Sequence, residues 1–434
     1  MASEAGSEKI NVSELLSFGG AQFASNIYRA FSAYYIMMFC TDMALFPVAM
    51  TGVLLFCYRL VSALDDQALA LLINRVNFRD GKYRPYFKWC ALPFAISFTA
   101  MALTPAINAT YRIIFFTLML FICELCSSAL YTASTSMLPY LAQGDVNRTK
   151  FVSFSNSGAI LAFIVIGTFL LPLADFFGGS DKNKGFAIVF ALFSIIAVLL
   201  HFIAYINLKE RYYVDTPRKR AIKDMFLNII RNKRIMFFLT GYFLYSMADA
   251  FKSMTTYYYA TYNLQRQDLL PVIILTGLLS PLAVQPFIPK LLTYAKKESL
   301  IVGGLFASCC TSLLMLAAGN RPFALIPCIA LYGFVTAIVA NLVFTVIASF
   351  SDEIRLVQNM SMSEILAACL SLSANIGAAI SSGISPMIMG AFGYSAQNAI
   401  QTTEALFGVK MLYIYCTASG MALSGIAMLM FRKN

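Results

Sequence analysis

Long apolar stretches separated by short charged or turn-forming clusters run through the whole chain. Splitting at those clusters gives apolar segments near residues 17–40, 46–72, 88–108, 112–136, 151–175, 186–207, 235–260, 270–289, 299–318, 322–348, 364–391 and 409–430. Each is long enough to cross about 30 Å of hydrocarbon as a helix. The pattern predicts an all-α membrane protein with twelve transmembrane helices. The longest polar stretch, 208–234, falls between the sixth and seventh segments. It predicts an N-terminal six-helix half (1–207), a cytoplasmic linker (208–234) and a C-terminal six-helix half (235–434).

Composition excludes an ordinary soluble enzyme. Of the 434 residues 59% are hydrophobic and only 12% charged, with a mean hydropathy of +0.72; soluble domains carry roughly a quarter charged residues. The basic residues orient the helices. With the N-terminus inside, 23 of the 32 Lys and Arg fall in inner segments, 6 in outer segments and 3 within spans. This bias predicts a multi-pass protein of the cell membrane with both termini cytoplasmic. It also accounts for the formal charge of +11 by anionic lipid headgroups, without nucleic acid. The ten cysteines lie almost entirely in apolar stretches and read as small buried hydrophobes. A single histidine, His201, argues against histidine-based metal or triad chemistry. The first residues carry neither a basic n-region nor a cleavage site, so no removed signal peptide is expected. Neither a cofactor nor a catalytic or metal site is expected.

A repeat supports the two halves. Asn26-Ile27-Tyr28-Arg29 in the first span is followed, five residues after the arginine, by Tyr34-Tyr35. Asp249-Ala250-Phe251-Lys252 in the seventh is followed at the same offset by Tyr257-Tyr258. Polar, basic and aromatic positions match in register, as a parallel six-plus-six repeat would produce.

Between Ser17 and Pro85 the chain resembles the glycoside-pentoside-hexuronide:cation symporters, the branch of the major facilitator superfamily that includes melibiose permease. The resemblance is carried by Ser17-Phe18-Gly19, Thr41-Asp42, the run from Arg59 to Asp66, and Gly81-Lys82-Tyr83-Arg84-Pro85. Fainter echoes follow in Leu138-Pro139-Tyr140, Lys209-Glu210-Arg211, Ser351-Asp352 and Phe392-Gly393-Tyr394. It implies the major facilitator fold, alternating access and cation-coupled uptake of a sugar or sugar acid. Laid beside melibiose permease, the chain has Asn26, Ser62 and Tyr131 where three of its carboxylates stand, and only Asp66 remains. Thr135 and Asn375 replace its span-four tryptophan and span-eleven lysine. A sodium site needs several oxygen ligands with enough negative charge, so a proton is expected to be the coupling ion in place of sodium.

Charges inside spans are functional candidates by default, because each costs about 2.5 to 3.5 kcal/mol to insert. Arg29 lies about one turn from Asn26, and Lys252 one turn from Asp249. Two cations converging in a cleft of low dielectric repel unless an anion sits between them. Arg29, Lys252, Asn26 and Asp249 are therefore expected to bind an anionic substrate, with Tyr28, Tyr131 and Tyr258 placed to stack on a sugar. The competing reading neutralises Lys252 with Asp249 and Arg29 with Glu124 or a backbone carbonyl. Glu124 and Asp66 are the expected proton carriers, since a carboxyl in an apolar cavity takes up and releases a proton readily. For Asp66 the alternative is a structural role near the inner end of its span. Arg59, Lys82, Arg84 and Asp352 are expected to form a cytoplasmic gate, against the plainer reading that the basic loop serves orientation alone. The expected function is thus a monomeric secondary transporter of a small organic anion. Alternatives are a lysolipid or lipid transporter of the same fold and a sodium-coupled symporter of neutral sugars.

Overall fold

A computed structural model describes residues 11–73, 81–142, 145–212, 231–319, 321–358, 363–398 and 400–433. Each predicted span contains an α-helix, though not every one is continuous. The first six are α1 (Val12–Tyr34), α2 (Val48–Ile73), α3 (Ala91–Ala102), α4 (Ala109–Ser136), α5 (Asp145–Gly178) and α6 (Lys182–Asn207). The next six are α7 (Lys233–Tyr258), α8 (Leu270–Val284), α9 (Lys297–Ala318), α10 (Pro322–Gln358), α11 (Ser363–Ala391) and α12 (Thr417–Lys433). A helix Thr403–Lys410 and a π-turn Met411–Cys416 lead into α12.

Among the described residues, nine stretches are long and apolar enough to cross a membrane. The spans at α1, α3 and α7 fall short, for two different reasons. The third segment is not one continuous helix: Arg84–Trp89 stops at a turn on Cys90, and α3 gives way to a 3-10 turn at Thr104–Ala106. Pro93 and Pro105 explain both breaks, because each ring clashes with the carbonyl four residues earlier and supplies no N–H. By contrast, α1 and α7 are long but polar. Their polar residues turn inward: Gln22, Ser25 and Asn26 are buried on α1, as are Lys252, Thr255 and Thr256 on α7.

The chain divides into two compact units, Met1–Phe31 with Leu64–Pro217, and Ser32–Ala63 with Arg218–Asn434. The expected linker 208–234 lies largely outside the described residues. In the N-terminal unit an aromatic core joins α1, α3 and α6, with Phe98 stacked on Phe190 at 4.5 Å and Phe31 edge-on to both. There α5 meets α1 backbone to backbone, and a Cβ on Gly158 would lie 2.1 Å from the Gly19 carbonyl oxygen. Small residues permit such approach between membrane helices, where packing replaces the hydrophobic effect. In the C-terminal unit Gly377 of α11 meets the Phe243 carbonyl of α7 in the same way, at 2.7 Å.

At their far ends α1 and α7 share a further feature. After a turn at Tyr35 and the short helix Ile36–Met38, the first segment enters a π-turn at Phe39–Met43, and α7 runs directly into one at Tyr259–Asn263. Ala44 N–H donates to Phe39 O at 2.8 Å and Phe46 N–H to Cys40 O at 2.9 Å. Leu264 and Arg266 donate to Tyr259 O and Ala260 O, both at 3.0 Å. Each turn is followed by a left-handed residue other than glycine, Leu45 and Gln265, both at φ 54°. The two turns are stitched together. Asp42 Oδ1 accepts from Thr41 and Tyr394 at 2.7 Å each, and Oδ2 accepts from Tyr262 at 3.0 Å.

Candidate functional site

The C-terminal unit holds a cavity of about 290 Å³, at the lower end of the range for small-molecule sites. One face of α7 supplies Tyr245, Asp249, Lys252, Ser253 and Thr256, positions that fall together at helical spacing. Across from it α10 contributes Tyr332, Thr336 and Asn341, α8 contributes Gly277, and Tyr34 and Tyr413 complete the wall. Several polar side chains are held by their own helices. Thr256 donates to Lys252 O at 2.7 Å, Thr336 to Tyr332 O at 2.9 Å and Asn341 to Ala337 O at 2.8 Å. Their oxygens keep spare acceptor capacity beside the cavity.

Asp249 and Lys252 are the charged residues in this lining. Lys252 is 7% exposed, and its Nζ rests 3.2 Å from the centroid of the Tyr332 ring and 3.9 Å from Met315 Sδ. The Tyr332 hydroxyl reaches Asp249 Oδ1 at 3.4 Å. Among the described residues no ion pair joins Lys252 to Asp249 directly. One tyrosine ring links the two charges instead, by its face to the cation and by its hydroxyl to the carboxylate.

The N-terminal unit repeats half of this arrangement. The Arg29 guanidinium lies over the Tyr131 ring at 4.0 Å. Asn26 donates to Gln22 O at 2.7 Å, and Gln22 donates to Ser134 Oγ on α4 at 2.9 Å. Glu124 is buried on α4. Tyr28 packs edge-on to Phe94 and Phe98 in the aromatic core. Asp65 is buried and accepts from Ser128 at 3.2 Å; the side chain of Asp66 lies outside the described residues. Tyr258, expected near substrate, is fully buried, with its hydroxyl 2.7 Å from Thr41 Oγ1 in the Asp42 cluster.

The expected gate residues are placed as follows. Arg59 donates to Ser32 O at 3.0 Å. Lys82 Nζ lies 3.5 Å from the Tyr140 hydroxyl, and Arg84 donates twice to Tyr205 O. The backbone N–H groups of Lys82, Tyr83 and Arg84 all donate to the Glu210 carboxylate, at 2.8, 2.6 and 3.0 Å. Arg211 beside it pairs with Glu14. The Asp352 side chain lies outside the described residues.

Sequence reading missed Tyr245, Tyr332, Thr336 and Asn341. Tyr245 was within reach, one turn before Asp249 on the same face. Tyr332, Thr336 and Ala340 follow at four-residue spacing on α10, a signal that a long apolar helix conceals.

A sequence profile of the MFS/sugar transport proteins matches residues 17–433. The chain belongs to that family. It is therefore a multi-pass membrane transporter and not an enzyme, as the resemblance in its first spans implied. The chain is 27% identical to an isoprimeverose transporter of Lactiplantibacillus pentosus over 97% of its length and 89% of the relative's. It is 23% identical to a protein of Salmonella typhimurium assigned as a sulfoquinovose importer, over 96% and 88% of the two chains. The crystal structure of the nucleoside transporter NupG superposes with a TM-score of 0.71 at 13% identity, covering 98% of this chain and all of that one. That likeness shows the major facilitator fold. Within a sugar transport protein, a cavity lined by tyrosines, hydroxyls and two opposite charges is the candidate site for a polar substrate.

Proposed function

We propose that the protein is a secondary active symporter of a small anionic sugar, working by alternating access and driven by protons. The observation that carries the reading is Lys252, a cation buried in the cavity wall and held on a ring face without a direct ion pair. A carboxylate or sulfonate entering the cavity gives that ammonium a full counter-charge, which a ring face supplies only in part. Arg29, at the matching place on α1, is the second candidate cation. The sulfoquinovose assignment of one relative supports an acidic sugar. Asn26, Ser62 and Tyr131, neutral where melibiose permease has carboxylates, support a proton in place of sodium. The two halves 1–207 and 235–434, the cytoplasmic linker, both termini in the cytoplasm and a monomeric protein in the cell membrane belong to the same proposal.

A second reading is a cation-coupled symporter of neutral glycosides, favoured by the isoprimeverose relative and by Asp249, an acceptor for sugar hydroxyls in the same wall. Counterflow in proteoliposomes separates the two. Labelled glucuronate or a sulfonated hexose should exchange and be displaced weakly by neutral xylosides, and lysolipid should not compete. Exchange of neutral xylosides alone would overturn the anionic reading.

A further inference from the structure

We propose that Asp249 is the proton carrier: it takes up a proton when the acid group of the substrate engages Lys252, and anion and proton cross the membrane together. This rests on the reading of Lys252 as the receptor of an anionic group. Asp249 and Lys252 sit one turn apart on α7, and both line the same cavity. Tyr332 touches both, its ring under the ammonium at 3.2 Å and its hydroxyl 3.4 Å from the carboxylate. The other titratable groups facing Asp249 are the phenols Tyr242 and Tyr245 on α7 and Tyr34 at the end of α1. Around Lys252 stand Cys328 on α10 and Tyr413 in the π-turn before α12. Among the described residues, Lys252 is the one cation found acting on Asp249.

Charge balance does the coupling. In the empty cavity one positive and one negative charge offset each other, and either alone would leave an uncompensated buried ion, which is strongly unfavourable. An anionic substrate brings a second negative charge beside the single cation. Two anions sharing one site cannot both stay ionised. A sulfonate is a far stronger acid than a carboxyl and keeps its charge, so the proton goes to Asp249, forming an O–H bond with a proton from the water that admits the substrate. The loaded site then holds the substrate anion, Lys252 ammonium and a neutral Asp249. When the anion leaves on the other side, Lys252 returns to Asp249 and the proton departs. Each cycle moves one anion with one proton, a neutral pair, and calls on neither Glu124 nor Asp66.

The test is proton uptake on binding, read with a pH-indicator dye in weakly buffered detergent solution, using a sulfonated hexose as probe. The wild-type protein should take up one proton per sugar bound, and its affinity should fall about tenfold per pH unit above the midpoint. Asp249→Asn mimics the protonated carboxyl, so it should take up no proton and bind at pH 8 as tightly as the wild type does at its acid plateau. Asp249→Glu should restore uptake. Proton uptake that persists in Asp249→Asn would overturn the proposal and point to Lys252 or Glu124, as would binding to the wild type without uptake. Should Asp249→Asn fail to fold or bind, Asp249→Glu decides, since an unmoved midpoint in its pH profile rules Asp249 out. If the wild type binds a neutral xyloside and no acidic sugar, the anionic reading fails and this inference falls with it, a result distinct from the others.

Discussion

Two cations, one in each unit, are held by the same device and given different neighbours. Arg29 on α1 lies over Tyr131 on α4, and Lys252 on α7 lies over Tyr332 on α10. First and fourth helices of one half thus match first and fourth helices of the other. One turn before the cation, however, stands an amide in the first case and a carboxylate in the second. Asn26 is satisfied by its own helix and offers no charge; Asp249 lines the cavity and shares Tyr332 with Lys252. The comparison teaches that one frame carries two chemistries: a cation over a ring beside an uncharged amide in one half, and the same device beside a titratable carboxylate in the other, which under the proposed mechanism is where the proton binds. A second difference is register. Arg29 lies ten residues before its π-turn and Lys252 seven before its own, so about one helical turn separates their depths relative to that landmark.

The sharpest way to break the comparison is to remove each cation. Truncating one partner of a buried charge contact costs about 2 to 5 kcal/mol, so Lys252→Ala and Arg29→Ala should each weaken binding of an acidic sugar by about 30-fold or more. Fluorescence or scintillation-proximity binding on purified protein reads this directly. If neither changes affinity, the cations do not hold the substrate. If only Lys252 matters, the site belongs to the C-terminal unit and the repeat is structural on the Arg29 side.

Making the halves alike should have the next largest effect. Asn26→Asp places a carboxylate one turn from Arg29, so that this cation meets the substrate already compensated. Affinity for the acidic sugar should drop about tenfold at neutral pH and recover in acid, which gives the variant a steeper pH dependence than the wild type. An affinity that stays put at every pH would show that Arg29 and Asn26 do not share an electrostatic environment with the substrate. Removing the rings is milder. Tyr131→Leu and Tyr332→Leu each take away a cation–π contact, about 0.5 to 2 kcal/mol when desolvated. The expected outcome is a several-fold change in affinity. Tyr332→Leu should move it more, because Asp249 loses a hydroxyl donor as well.

How far this could be read in advance depended on whether the signal was local. The apolar spans and the matched spacing of Arg29 and Lys252 stand out in the sequence, because a charge within a membrane span is rare. Tyr332 does not stand out: it is one of 23 tyrosines, on a long and mostly apolar helix. The expectation for Tyr258 rests on a shared offset, and an offset carries no sign of the hydrogen bond its hydroxyl makes with Thr41. Nothing in the residues around Phe39 or Tyr259 announces a π-turn, since no proline or glycine is needed to insert one residue into a helix. Glu210 shows the same limit at the inner loop. Its three backbone donors lie more than a hundred residues away in sequence, and the motif Gly81-Lys82-Tyr83-Arg84-Pro85 reads as a run of charge until that carboxylate is seen beneath it.

The smallest expected effect concerns the π-turns, a feature in which the two halves agree in backbone geometry. Leu45 and Gln265 both adopt φ 54°, a left-handed conformation that costs a residue with a Cβ roughly 1 to 2 kcal/mol and glycine nothing. Replacing either by glycine removes that strain in the folded state. It also enlarges the conformational freedom of the unfolded chain, which opposes the gain by about 0.4 to 1 kcal/mol. The net should be a stabilisation of between about zero and 1.6 kcal/mol, at both sites alike, seen as a small rise in melting temperature of the detergent-solubilised protein. Glycine in place of Ala248, in the middle of α7 with its side chain packed on Gly420, serves as the control and should lower it. A loss of stability at Leu45 with a gain at Gln265 would mean that the leucine side chain contributes packing its counterpart does not, and that the two π-turns, alike in hydrogen bonding, are held in place by different means.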